Sequence, residues 1–141
     1  MNEYTITARW VRNLQFVGTD GGGHSVVMDS PLGENTGMRP AELLMVALAG
    51  CTAMDVISIL QKKQQKVVDF EVKITGQRRP DHPRAWTHMH IEYIVRGKGV
   101  DRAAVERAVE LSTTKYCSVH ATLEGKVEMT HSITIEEADA R

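Results

Sequence analysis

The stretch Pro40-Ala41-Glu42-Leu43-Leu44-Met45-Val46-Ala47-Leu48-Ala49-Gly50-Cys51-Thr52-Ala53-Met54-Asp55-Val56-Ile57-Ser58-Ile59-Leu60 decides the fold. Between Ala41 and Leu60 its only charges are Glu42 and Asp55, and Leu43 through Leu48 leave no polar face. The run is too long for a strand, and Pro40 suits the first turn of a helix. A helix that is apolar all round either spans a membrane or lies in a core. The charge-free part covers only residues 43–54, short of the ~17–25 residues a span needs. A central buried helix is therefore expected, ending near Lys62-Lys63, whose charges suit a helix C-terminus. A chain of 141 residues has few other elements to wrap such a helix, which predicts burial against a second copy in a homodimer.

Strand patterns flank the helix on both sides. Tyr4, Ile6, Ala8 and Trp10 alternate with Thr5, Thr7 and Arg9, the period of a half-buried strand over 3–11. A second strand over 14–17 follows, then a turn at Thr19-Asp20-Gly21-Gly22-Gly23, a third strand over 24–29 and a loop over 30–39. Beyond the helix, Val68, Phe70, Val72 and Ile74 mark one strand of a hairpin. Thr87, Met89, Ile91, Tyr93 and Val95 mark the other. Asp101 is the expected N-cap of a helix over 102–115, weakened by Ser112-Thr113-Thr114. Cys117 begins a short helix ending near Gly125, and a last strand alternates through Val127, Met129, Ile133 and Ile135. Strands, helix, strands, helix, strand make an α+β fold, in one domain over 1–141.

Composition narrows the function. Hydrophobic residues at 42% and charged residues at 25% are globular values, and 17 basic against 18 acidic side chains leave a net charge of −1. No basic field exists for nucleic acid or an anionic membrane, so neither is an expected partner. The opening Met1-Asn2-Glu3-Tyr4-Thr5-Ile6 lacks a basic segment followed by an apolar one, and a cytoplasmic location is expected. Two cysteines are too few for a disulfide scaffold; a pair formed by them would be redox-active.

Cys51 sits in the middle of the apolar helix, with Asp55 one turn on and within reach. Glu42 lies nine residues earlier, half a turn out of phase. A carboxylate beside a thiol raises its pKa, and a small buried hydrophobe remains an open reading for Cys51. Cys117 stands at a helix N-terminus between Lys115 and His120, a setting that favours thiolate, although a free cysteine at a helix junction fits too. Cys117-x-x-His120 and His88-x-His90 have ligand-like spacing. A solvated strand face explains the second, and no Cys-x-x-Cys pair is present, so no metal is expected. Gly21-Gly22-Gly23 lacks the residues of a phosphate loop.

Taken together, Pro40-x-Glu42-Leu43-Leu44, Leu48-Ala49-Gly50-Cys51 and Lys115-Tyr116-Cys117-Ser118-Val119 resemble the OsmC/Ohr family. Asp55-Val56-Ile57-Ser58-Ile59-Leu60-Gln61-Lys62 and Thr130-His131-Ser132 bring the chain nearest to its YhfA-like branch. The resemblance runs over essentially the whole chain. It implies an OsmC-like fold with antiparallel sheets wrapped around long central buried helices in an intertwined homodimer. It implies reduction of small organic hydroperoxides at the subunit interface, with Cys51 as peroxidatic and Cys117 as resolving cysteine. An external dithiol or lipoylated protein would restore the thiols, with no bound cofactor. In peroxidase members an Arg in a Gly-Gly-Arg-type turn activates the first thiolate; here that region reads Thr19-Asp20-Gly21-Gly22-Gly23-His24. The carboxylate that follows the helix-opening Pro is replaced by Ala41, with Glu42 one position later. Arg39 is the candidate substitute cation, beside Arg9 and Arg12, with Glu42, Asp55 and His120 as supporting residues. Without a cation, burial is expected to hold the Cys51 thiol up and its reaction slow. The alternative function is a non-catalytic relative that binds or senses a small apolar or electrophilic molecule in the interfacial pocket.

Overall fold

A computed structural model describes residues 2–138, which divide into two compact units between Leu44 and Met45. In the N-terminal unit β1 (Thr7–Arg12), β2 (Gln15–Thr19) and β3 (Ser25–Met28) form an antiparallel sheet in that order. Asn13 makes the first turn at φ 48°, a left-handed conformation that Asn tolerates better than most residues. Pairing begins at Thr7, not residue 3, and β1 is exposed along its whole length, with Trp10 63% exposed. The expected half-buried face is thus uncovered within the chain. Alternation reports that a strand has an apolar side, not that this chain supplies its cover.

Helix α1 (Pro40–Lys62) begins at Pro40 and ends at Lys62, as its sequence predicts. Its fully buried residues are Leu48, Thr52, Val56 and Leu60, spaced by four and therefore on one stripe. Val46 lies out, and Met54 is 73% exposed. Within one chain burial follows that single stripe, since the chain's own elements cover only that side. By length and composition α1 also meets the requirement for crossing a membrane, but this stripe is part of a packed core.

In the C-terminal unit β4 (Lys66–Arg78) pairs antiparallel with β5 (Trp86–Lys98), and β6 (Glu128–Glu137) pairs with the other edge of β5. The β5–β6 pairing is parallel, from His88↔Glu128 to Gly97↔Glu137, which corrects the expected all-antiparallel sheet. The connection between them carries α2 (Arg102–Leu111), a π-helical turn (Ser112–Tyr116) and α3 (Ser118–Leu123). Such a helical crossover returns the chain to the same end of the sheet, which a tight turn cannot do. On the central strand, Met89, Ile91, Tyr93 and Val95 are buried as their alternation predicts, joining Leu48, Val56 and Leu60 of α1 and Val105, Ala108 and Val109 of α2 in one core. A bulge between Val67 and Asp69 turns Val68 out and sends Val67 to the core in its place.

Asp101 caps α2 by accepting from the Ala103 N–H at 3.1 Å. Asp101→Ala should cost about 1 kcal/mol in urea denaturation, and Asp101→Asn much less. Regular α-helix stops at Leu111, four residues before the expected end. There the Thr113 hydroxyl donates to Val109 O and that of Thr114 to Glu110 O, while Cys117 N–H reaches Ser112 O at 2.8 Å, five residues back. Side-chain hydroxyls competing for the last carbonyls widen the turn. The widened turn sets the position of Cys117.

Candidate active site

Cys117 is the N-cap of α3, with extended backbone (φ −78°, ψ 103°), and its Sγ accepts from His120 N–H at 3.3 Å. A residue in that position points its side chain back over the first helical turn. It is only 3% exposed, whereas Cys51, one turn along α1 from buried Leu48, is half-buried. Both cysteines are free. Their sulfurs and a carboxylate oxygen of Asp55 all lie within 4.8 Å of one another. The fold therefore brings together three of the residues singled out from sequence: Cys51, Cys117 and Asp55.

The two thiols are unlike. Burial raises the Cys51 thiol, but hydrogen bonds from the Val119 N–H, the Cys117 thiol, the Ser118 hydroxyl and the Ser118 N–H outweigh it and hold the pKa below its ordinary value. The Ser118 Oγ stands 3.9 Å from the sulfur. Cys117 is pushed up to about 11, first by burial and then by the hydrogen bond it gives to Cys51, with the charges of Cys51 and Asp55 adding to this against the opposing His120 N–H. Of the two, Cys51 is therefore the thiol that ionises more readily, and Cys117 is the one that holds its proton more firmly. The expectation that burial leaves the Cys51 thiol raised is corrected: amide and hydroxyl donors at the start of α3 do what a cation would do.

Behind the sulfurs runs a buried chain of hydroxyls. Ser112 Oγ donates to Asp55 Oδ2 at 2.9 Å, Thr52 Oγ1 lies 2.8 Å from Ser112 Oγ, and Tyr93 OH lies 2.7 Å from Thr52 Oγ1. Ser112 spends its one hydrogen on Asp55, and each hydroxyl has only one, so the direction is fixed. Tyr93 donates to Thr52, Thr52 to Ser112, and Ser112 to Asp55. Burial raises the Tyr93 phenol, against its bond with Thr52, and the charges of Cys117 and Asp55 raise it further. It therefore remains a donor. Thr52→Val keeps the shape but strands the buried Tyr93 hydroxyl and takes from Ser112 the bond it accepts, so urea denaturation should show a loss of about 1–3 kcal/mol, with Thr52→Ser far milder.

Other predicted residues act differently. His120 serves Cys117 through its backbone N–H. Its ring faces a cavity of about 220 Å³ shared with Glu124 and His131, and its Nδ1 is buried without a hydrogen-bond partner. The Lys115 ammonium sits 5.1 Å from the Tyr116 ring centre, a cation–π contact, and is not among the groups that shift Cys117. Arg39 and Glu42 pair with each other at 3.3 Å within the N-terminal unit, whereas every group acting on Cys51 described above comes from the C-terminal unit. His88 pairs with Glu128 at 2.9 Å, and His90 bonds Thr130 at 2.7 Å and Ser132 at 3.0 Å, in keeping with a solvated strand face. Beside Asp55 opens a cavity of about 290 Å³, lined also by Ser58, Ile59, Lys62, Leu111 and Tyr116. Sequence reasoning passed over Thr52, Tyr93, Ser112 and the Val119 N–H. Thr52, a polar residue inside an apolar run, was a usable signal, since such a side chain must find a buried partner.

The family model described as OsmC-like protein matches residues 33–132. Protein YhfA of Escherichia coli (strain K12) is 46% identical over 130 residues, 92% of this chain and 96% of its own length. A solved structure from Aquifex aeolicus VF5 is 29% identical, with a TM-score of 0.87 over 99% of this chain and 100% of that one. OhrB of Bacillus subtilis, an organic hydroperoxide resistance protein, shares the fold at 15% identity, with a TM-score of 0.62 over 94% of this chain and 98% of its own. With two cysteines converging on the central helix and a family match over most of its length, the chain belongs to the OsmC-like proteins.

Proposed function

We infer that this protein is a thiol-dependent peroxidase that reduces small organic hydroperoxides to alcohols in defence against oxidative stress. The observation that carries the reading is the meeting of two free cysteines, their sulfurs within 4.8 Å, with the Cys51 pKa drawn down and that of Cys117 pushed up. The description of the Bacillus subtilis fold relative as an organic hydroperoxide resistance protein supports it.

In this mechanism the Cys51 thiolate attacks the terminal oxygen of the hydroperoxide. The S–O bond forms, the O–O bond breaks, and the departing alkoxide takes the proton of Cys117 to leave as alcohol. Cys51 is now a sulfenic acid and Cys117, having given up its proton, is a thiolate. Cys117 attacks the Cys51 sulfur, and hydroxide leaves with a solvent proton as water, completing a disulfide. Two electrons have passed from the thiols to the peroxide. The high pKa of Cys117 thus has a use: the nucleophile of the second step is released only when the first has made an alkoxide. An external dithiol, free or on a lipoylated protein, reopens the disulfide by two exchanges. The reading includes a cytoplasmic location, where the pool of thiols keeps both cysteines reduced. It also includes a homodimer that covers the exposed apolar side of α1 around Met54.

The test is consumption of cumene hydroperoxide by the purified protein with dihydrolipoamide as reductant. Catalytic turnover that depends on both reagents is the expected result. Peroxide left unconsumed beyond the protein-free rate would overturn the reading.

A further inference from the structure

We propose that the reduced site also binds a thiophilic divalent cation, Zn²⁺ above all, through Cys51 Sγ, Cys117 Sγ and a carboxylate oxygen of Asp55. The proposal uses the same cysteines as the peroxidase reading, but it does not depend on that reading. The three donor atoms lie within 4.8 Å of one another. Bonds of ~2.3 Å to sulfur and ~2.0–2.2 Å to oxygen at tetrahedral angles need donors roughly 3.5–3.8 Å apart. Closing in by at most about 1 Å therefore completes a three-ligand site with its fourth position open to water. Two sulfurs and one oxygen suit Zn²⁺ and exclude Mg²⁺ and Ca²⁺, which take oxygen ligands throughout.

What separates this cluster from a chance meeting of side chains is that each donor is already held from outside. Ser112 donates to Asp55 and is itself fully buried and fixed through Thr52 to Tyr93. The His120 N–H donates to the Cys117 sulfur, and Ser118 and the Val119 N–H donate to that of Cys51. Outer partners of this kind orient metal ligands and tune their affinity. The donors come from two places in the sequence, Cys51 and Asp55 one turn apart on α1 and Cys117 at the start of α3, so no single local motif holds all three. A cavity of about 290 Å³ opens on the Asp55 side of the cluster.

Binding transfers no electrons. Two metal–sulfur bonds form, and the Cys117 proton, with any still on Cys51, goes to solvent. Disulfide formation uses up both sulfurs, so metal and disulfide exclude each other. The ion shields the reduced pair from oxidants, and oxidation ejects it.

Co²⁺ added to the fully reduced full-length protein without oxygen tests the site directly. One Co²⁺ per chain is expected, giving the thiolate-to-metal charge-transfer band and the intense visible bands of a tetrahedral complex, both erased by one equivalent of Zn²⁺. The bands should be absent after a thiol oxidant has joined the cysteines, a control that needs no substitution, and absent from Cys117→Ser. Asp55→Asn should weaken binding at least about tenfold. A reduced wild-type protein that gives no such bands, or a disulfide form or Cys117→Ser that gives them undiminished, overturns the proposal. Tetrahedral Co²⁺ without hydroperoxide turnover would remove the peroxidase reading alone, and turnover without Co²⁺ binding would remove this one alone.

Discussion

Cys51→Ser is expected to reduce hydroperoxide consumption by at least roughly three orders of magnitude, to the background set by the reductant, because it deletes the nucleophile itself. Cys117→Ser should behave differently. Its Cys51 remains beside the Ser118 hydroxyl and the amides of Ser118 and Val119, so the first oxidation still occurs. With no resolving thiol, the sulfenic acid persists, and one equivalent of peroxide per chain is consumed in a burst. A dimedone-type reagent should then add to Cys51 in this variant and scarcely at all in the wild type. Stopped-flow consumption of cumene hydroperoxide, followed by mass spectrometry of the intact chain, measures both. Turnover surviving in Cys51→Ser, or Cys117→Ser cycling at the wild-type rate, would remove the assigned roles. The asymmetry follows from position. Cys51 lies on a half-buried helix face that a solute can reach, and Cys117 lies under the start of α3 with its proton directed at its neighbour.

Much of this arrangement was legible in the chain, and the reasons are specific. The apolar run after Pro40 announced α1 and its end near Lys62-Lys63, because no other element accommodates so long a stretch with so little charge. Met89, Ile91, Tyr93 and Val95 announced the central strand by their period of two. The parallel partnership of β6 was not legible, since alternation describes the faces of a strand and not its direction. Val67 and Val68 could not be told apart, because a bulge exchanges their roles without changing composition. At the site, Asp55 was readable from its four-residue offset to Cys51. The donors that depress the Cys51 pKa were not, because every non-proline residue carries an N–H and only the backbone path of the π-turn and α3 aims those of Ser118 and Val119 at the sulfur. The Cys51 pKa is lowered by hydrogen bonds spread over Val119, Cys117 and Ser118 rather than by one charged side chain.

The unequal pKa values predict how the two thiols take up an alkylating agent. Only the thiolate reacts, so each rate follows its ionised fraction. Cys117, pushed from 9.0 to about 11, has roughly a hundredth of an ordinary thiol's thiolate at neutral pH, and its burial lowers the rate further. Cys51, held below its ordinary value, should be carboxamidomethylated first, with its rate levelling off at a lower pH than that of a free cysteine. The sign of each dependence is fixed. Raising the pH through the alkaline range leaves the Cys51 rate flat once its thiolate is fully formed, while any Cys117 reaction keeps climbing until pH nears 11. Cys117→Ala removes the hydrogen bond given by the neighbouring thiol, so the Cys51 inflection should move upward. Ser118→Ala removes the hydroxyl donor and should move it upward by less, because the Ser118 hydroxyl, 3.9 Å from the sulfur, lowers the Cys51 pKa less than the Cys117 thiol does. Peptide mapping after iodoacetamide pulses across the pH range separates the sites. Equal labelling of both cysteines with one shared inflection would mean that the sulfurs do not influence each other, and the division of labour between nucleophile and proton donor would fall with it.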